Sequence, residues 1–104
     1  MRFLRVWTNL YRNLESGWID LDAEEVFLVG ENGQGKTNLL EALYALCYGS
    51  SFRTNTLREL ARHGERSFKL VGIYGDDEGM EHSLELEFKE SKRTMSLDGK
   101  IVRD

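Results

Sequence analysis

Three short apolar segments in the first third of the chain have the pattern of β-strands. Residues 3–7 alternate between apolar and polar side chains, and residues 18–21 follow them after the turn-prone segment 15–17. This pattern predicts two strands that pair antiparallel. Residues 26–29 are continuously apolar and end at a glycine, which predicts a central strand covered on both faces.

Residues 38–48 have the periodicity of an amphipathic helix. Apolar side chains recur at positions 39, 40, 42, 43, 46 and 47, and Gly49 stands where such a helix would end. We therefore predict a helix that begins near Lys36 and buries a wide apolar stripe. Cys47 falls within that stripe, so we expect its thiol to face the core as a small buried hydrophobic group.

The last third of the chain alternates with the period of two that is typical of strands. Residues 68–74 and 83–88 predict two strands around the turn at residues 75–79. Asp98 and Gly99 form the dipeptide that best fits a tight hairpin turn, with apolar residues on either side. The pattern predicts an antiparallel meander.

Composition and charge narrow the possible classes of protein. The chain has 104 residues, of which 40% are hydrophobic, so it can form the modest core of one domain. Its net charge of −4 lacks the basic excess of a typical nucleic-acid-binding domain, and the cluster of Arg58, Arg62 and Arg66 is interpreted as a solvated face. No segment approaches the roughly 20 apolar residues of a membrane span, and no signal peptide is visible. These features predict a cytoplasmic location and no membrane partner.

Residues 30–37 match the phosphate-binding pattern G-x-x-x-x-G-K-[ST] between a predicted strand and a predicted helix. Glycines let the backbone turn so that successive N–H groups point at phosphate oxygens, and the start of a helix adds a positive dipole end. We expect Lys36 to reach the β and γ phosphates of ATP and the Thr37 hydroxyl to bind Mg²⁺. A glycine-rich turn without a ligand is the alternative, and the flanking elements favour a nucleotide. The candidate binding residues of this segment are Gly30, Asn32, Gly33, Gln34, Gly35, Lys36, Thr37 and Asn38.

Hydrolysis of ATP also requires an acidic residue at the end of a second apolar strand. The one candidate is the pair Asp76 and Asp77, but the sequence Gly-Asp-Asp-Glu-Gly followed by an alternating segment is more typical of a hairpin loop. We therefore assign no catalytic residue. The residues predict nucleotide binding and leave enzymatic activity open.

Several of these segments resemble the nucleotide-binding heads of the ABC and SMC type. The loop form Gly-x-Asn-Gly-x-Gly-Lys-Thr, with Asn32 inside it, is similar to theirs, as are residues 10–13 and the helical segment 38–44. Residues 49–54, Gly-Ser-Ser-Phe-Arg-Thr, resemble the G-x-x-F-R-S/T segment of the RecF family of recombination mediators. Together with Arg-His-Gly at 62–64 and Leu-Asp-Gly-Lys at 97–100, the likeness covers nearly the whole chain.

The resemblance implies an α/β fold, the N-terminal lobe of a P-loop NTPase of ABC/SMC-head type. In this lobe a central P-loop strand and helix are joined to an antiparallel β meander. Residues 1–66 would form the P-loop core with its flanking strands, and residues 67–104 the meander. Because the glutamine loop, the Ser-Gly signature and the acidic strand end of such heads are not found in residues 1–104, we expect an N-terminal fragment of a longer protein.

The RecF resemblance also implies a function. Members of that family are DNA-binding ATPases of recombinational repair and replication that use ATP and Mg²⁺, form ATP-dependent homodimers, and act with RecR and RecO to help load RecA. The resemblance implies that Arg12 and Asn13 lie close to the nucleotide, and a surface arginine at a strand end is the alternative for Arg12. It leaves Arg53 either near a phosphate or on the surface. For the parent protein we expect a slow ATPase that DNA stimulates.

Other functions stay open at this point. The segment could belong to an SMC-like chromosome-organising ATPase, for which a long heptad stretch after residue 104 would argue, or to a fragment that binds nucleotide without hydrolysing it. A small-molecule kinase would need a lid and acceptor-site residues, which are not visible. Asn32 in the loop also argues against a kinase.

Overall fold

A computed structural model of the chain describes residues 2–21 and 33–102. The predicted strand at 26–29 and the candidate residues Gly30 and Asn32 lie outside these ranges. In the described part of the chain, six strands form one sheet in the order β2-β1-β3-β4-β5-β6, and every neighbouring pair is antiparallel. The strands are β1 (Arg2–Asn9), β2 (Gly17–Asp20), β3 (Phe68–Gly75), β4 (Glu81–Lys89), β5 (Lys92–Leu97) and β6 (Lys100–Ile101).

The predicted hairpins are confirmed. β1 pairs with β2, and β3 to β6 form the meander. Asp98 and Gly99 both have positive φ, 51° and 83°, as a tight two-residue hairpin turn requires. β1 also pairs with β3, so one sheet includes strands from both the 1–66 and the 67–104 segment.

The helix α1 spans Gly33–Tyr48. It begins three residues before the predicted start near Lys36, so two glycines of the motif belong to its first turn. Glycine can adopt helical angles, and the first four N–H groups of a helix have no partner within it, so glycines can occupy this first turn. The predicted end is confirmed, because Gly49 has a φ of 71° and its N–H donates to the Ala45 carbonyl at 2.7 Å.

One face of α1 packs on the sheet and forms the core with it. Leu39, Ala42 and Leu46 are buried there, together with the strand residues Leu70 and Leu86. The approach of helix and sheet is close at Gly72 on β3, where a Cβ would lie 2.8 Å from a Leu46 methyl carbon. The α/β architecture expected from the sequence is confirmed. No helix in the described ranges is long and apolar enough to span a bilayer.

The prediction that Cys47 faces the core is wrong, because its side chain is exposed. Each helical residue is rotated about 100° from the one before it, and the sheet covers the side of α1 that carries Ala45 and Leu46. The apolar residues Leu40 and Tyr44 are likewise exposed. The apolar stripe in the sequence is therefore wider than the face that the described residues cover.

The acidic segment at 75–79 is a hairpin loop between β3 and β4, as predicted. Its Asp76 carboxylate accepts the N–H groups of Glu78 and Met80 at 2.9 Å. His82 on β4 contacts the same carboxylate through Nε2 at 2.8 Å and the Asp98 carboxylate through Nδ1 at 2.7 Å. We call His82, Asp76 and Asp98 the histidine clamp, because it links two turns at one end of the sheet.

Candidate functional site

The connection between β1 and β2 carries Arg12 and Asn13 to the helix. Leu10 and Arg12 adopt left-handed backbone conformations, with φ of 55° and 43°, which reverse the chain sharply. The Arg12 N–H donates to the Leu60 carbonyl at 2.9 Å, and the Arg62 N–H donates to the Leu10 carbonyl at 2.7 Å. These bonds fix the connection against the segment that precedes β3.

Arg62 strengthens the same attachment with its side chain. Its Nε donates to the Arg12 carbonyl at 3.2 Å, and its Nη2 donates to the Leu14 carbonyl. The side chain is half-buried. The interpretation of the surrounding cluster as a solvated face is therefore wrong for Arg62, whose guanidinium satisfies backbone oxygens of a tight turn.

A fully buried carboxylate, Glu41 on α1, lies at the centre of the site. Arg12 donates to both of its oxygens, from Nε at 2.6 Å and from Nη2 at 2.8 Å. The hydroxyls of Ser51 and Tyr11 each lie 2.6 Å from a carboxylate oxygen. Such a paired guanidinium and additional hydroxyl donors are what a buried carboxylate needs to stay ionised.

The protonation states follow from these contacts. Burial by itself raises the pKa of Glu41, but the hydrogen bonds from Arg12, Ser51 and Tyr11 outweigh it and hold that pKa below its ordinary value. Burial, together with the hydrogen bond to Glu41, raises the pKa of Tyr11 well above its ordinary value. At neutral pH Glu41 is therefore a carboxylate and Tyr11 a phenol that donates its proton.

Asn38 extends this network to the surface. Its amide nitrogen donates to the Asn13 side-chain oxygen at 2.8 Å, and its own side-chain oxygen accepts a 2.6 Å bond from Arg53 Nη1. The same Arg53 nitrogen lies 3.5 Å from Glu41. The network thus contains two guanidinium groups, those of Arg12 and Arg53, and one carboxylate.

The network borders an open cleft of about 930 Å³. A volume of this order suits a ligand of nucleotide size. Lys36 is exposed in the first turn of α1, two residues before the cleft-lining Asn38, and Thr37 is half-buried between them. A rise of about 1.5 Å per residue therefore puts the start of the helix beside the cleft. The cleft is lined by Arg12, Asn13, Asn38, Arg53, Thr56, Arg58, Glu59, Ala61, Arg62, His63, Gly64 and Glu65.

The structure brings part of the predicted site together. Arg12, Asn13 and Asn38 line one cleft, although they are distant in sequence, and Arg53 joins them. The backbone of residues 33–35, with Gly33, Gln34 and Gly35, forms the beginning of α1. The Arg12 guanidinium forms an ion pair with Glu41, so Arg12 lines the cleft with its charge already paired.

Sequence reasoning missed the role of Glu41. Its position offered a signal, because Glu41 lies next to Ala42 within the predicted apolar stripe. A charged residue on the buried face of a helix needs a partner, and such a position is a candidate for a polar network. The identity of the partners depends on the loops that the fold brings to the helix.

Comparison with known proteins shows the family of this chain. The family model described as AAA domain matches residues 9–104. The DNA replication and repair protein RecF of Treponema pallidum is 42% identical over 95 residues, which cover 89% of this chain and 26% of that protein. RecF of Trichlorobacter lovleyi is 37% identical over 98 residues, covering 94% of this chain and 26% of the relative.

A solved structure shows the same fold. The recombination mediator protein RecF-ATP of the RecFOR pathway superposes with a TM-score of 0.82 at 24% identity, over 99% of this chain and 28% of that one. The expected resemblance to RecF and the expected fold class are thereby confirmed. This chain spans about a quarter of the length of the curated relatives that it matches.

Proposed function

From the premise that this chain belongs to the AAA domain family, we propose that it is the ATP-binding part of a RecF-like protein of DNA replication and recombinational repair. The observation that carries this proposal is the cleft beside the first turn of α1. Four arginines and two glutamates line that cleft, and a lysine of the phosphate-binding motif is exposed next to it. This excess of positive charge suits a nucleoside triphosphate, which is strongly anionic.

Different parts of the site would bind different parts of the nucleotide. The first N–H groups of α1, which have no partner within the helix, and the ammonium of Lys36 would bind the phosphates, as helix N-termini do in other anion sites. The adjoining cleft, with Asn13, Asn38 and Arg62 in its walls, would hold the nucleoside. Arg53 would stand between these two regions, because it bonds to Asn38 on α1.

Thr37 would hold Mg²⁺ at this site. Its hydroxyl lies one residue after Lys36, and Mg²⁺ accepts few protein ligands while it keeps several waters. The part of the chain that the structure describes contains no cluster of three His, Cys, Asp or Glu side chains that could hold a metal. Phosphate oxygens and water would be further ligands, because Mg²⁺ is held by few protein groups and keeps several waters. When bound, the ion would neutralise phosphate charge.

Further functions are proposed for the longer protein of which this chain would be part. These are DNA binding, slow DNA-stimulated ATP hydrolysis, ATP-dependent homodimerisation, cooperation with RecR and RecO, and a cytoplasmic location. The similarity to RecF supports them. The acidic pair of the β3–β4 loop lies between antiparallel strands of a hairpin, and we assign it no part in hydrolysis.

Titration calorimetry of the purified protein with Mg-ATP tests the proposal. We expect the substitution Lys36→Ala to abolish binding, because it removes the cation that contacts the β and γ phosphates. Lys100→Ala is the matched control, since it removes an exposed lysine at the far edge of the sheet, and it should leave the affinity unchanged. Undiminished ATP affinity of Lys36→Ala would refute the assigned phosphate site.

A further inference from the structure

We propose that Glu41 is a positioning residue, which holds the walls of the cleft in place for the nucleotide without touching it. This inference rests on the proposed function of the cleft. Glu41 is fully buried and does not line the cleft, but two of its partners, Arg12 and Arg53, do. Its effect on a ligand must therefore be transmitted through those partners.

The carboxylate joins three separate segments of the chain. It belongs to α1, it binds Arg12 and Tyr11 of the β1–β2 connection, and it binds Ser51 of the loop that follows the helix. Arg12 lies 29 positions away in sequence and Ser51 lies 10 positions away. Each of these segments contributes residues to the wall of the cleft. One carboxylate therefore fixes their spacing.

Arg12 and Arg53 differ in how closely their guanidinium groups bind Glu41. Arg12 makes two short bonds to Glu41, at 2.6 and 2.8 Å, so its charge is largely compensated. Arg53 is 3.5 Å from the same carboxylate and makes its shorter bond, 2.6 Å, to the neutral Asn38 side chain. The surplus positive charge of the network thus lies on Arg53, which is kept at the cleft by Asn38.

Glu41→Gln distinguishes this role from a simple effect of charge. The change removes a negative charge close to an anion site, so unspecific electrostatics predicts tighter ATP binding. A glutamine amide, however, has one acceptor oxygen, and its NH₂ group would face the donors that now surround the carboxylate. Arg12 would then lose its paired hydrogen bonds. The positioning role therefore predicts weaker binding.

The experiment is Mg-ATP titration of single and double variants of the purified protein. We expect Glu41→Gln to weaken ATP binding about tenfold, the order of coupling seen between residues of one network. Arg12→Gln removes the same interaction from its other side, so the double variant should be no more than about threefold weaker than the weaker single variant. Glu78→Gln makes the same change at an exposed acidic side chain of the β3–β4 loop, outside the cleft, and should leave ATP affinity unchanged.

Three results would overturn the inference. Glu41→Gln could bind ATP as well as the original protein or better, or the losses of Glu41→Gln and Arg12→Gln could multiply in the double variant. If Glu41→Gln does not fold, Ser51→Ala replaces it, with an expected loss of about threefold; unchanged affinity of Ser51→Ala then contradicts the role. The proposed function fails separately, through ATP binding that survives Lys36→Ala.

Discussion

Replacing Tyr11 with phenylalanine removes one hydroxyl from the centre of the molecule and leaves the aromatic ring in place. Tyr11 is fully buried, and its ring lies 6.2 Å from that of Phe68. Its hydroxyl is 2.6 Å from both the Asn38 carbonyl and a Glu41 oxygen, so one proton is shared between two acceptors. Tyr11→Phe therefore changes hydrogen bonding with little change in packing.

The loss of stability depends on which other donors the two acceptors, the Asn38 carbonyl and Glu41, retain. A hydrogen bond to a charged group contributes about 1.5–3 kcal/mol to stability. Glu41 would keep Arg12 and Ser51, and the Asn38 carbonyl lies within a helix, where backbone N–H groups are its regular donors. Since neither acceptor is left without a donor, we expect the lower half of that range, about 2 kcal/mol. For a chain of this size that loss lowers the melting temperature by roughly 10 °C.

Urea denaturation and thermal melting of the purified variants measure this loss. Tyr48→Phe serves as the control, because Tyr48 is the last residue of α1 and is 67% exposed. We expect Tyr48→Phe to change the free energy of unfolding by less than about 0.5 kcal/mol. Equal stability of the Tyr11 and Tyr48 variants would show that the buried hydroxyl does not bind as described.

Gly72→Ala tests the contact between α1 and the sheet, and His82→Gln tests the histidine clamp at one end of the sheet. Gly72→Ala should cost about 1–3 kcal/mol in urea denaturation, because the new Cβ would lie 2.7 Å from the Phe3 ring and 2.8 Å from Leu46. Gly75→Ala, on the same strand but with nothing within 4 Å, should be close to neutral, and equal midpoints for the two would contradict the packing described. The histidine clamp predicts a pH dependence: hydrogen bonds to Asp98 and Asp76 raise the pKa of His82, and the hydrogen bond to His82 lowers the pKa of both aspartates. The His82 contribution is full below its ordinary pKa of 6.5 and is lost as pH rises through the raised value, whereas the aspartate contribution is present above about 3.8 and is lost as pH falls. Stability relative to His82→Gln should therefore be greatest between those limits, and a difference that does not vary with pH would contradict the clamp.

The sequence predicted the elements that depend on neighbouring residues. The hairpin at Asp98 and Gly99 and the end of α1 at Gly49 are set by backbone conformations that few residue types adopt. The alternation of apolar and polar residues along a strand likewise indicates which side chains point to the same face of the sheet. These signals are local, so they can be recognised without knowledge of the fold.

The sequence was less informative about which side chains are buried. The exposed Cys47 belongs to an apolar stripe wider than the face that the described sheet covers. Arg62 was interpreted as solvated, but it binds backbone oxygens of a distant turn. In both cases the missing information was the identity of the neighbouring element, which periodicity does not contain.

By itself the sequence determined the strands and turns of the described ranges, the helix that follows the glycine-rich motif, and the resemblance to RecF. The tertiary structure decided that β1 lies between β2 and β3, and that Arg12, Asn38 and Arg53 meet around Glu41. The physical reason is the range of the interactions. Turns and periodicity arise within a few residues, whereas Glu41 stays ionised in the core through donors that lie 10 to 30 positions away in the chain.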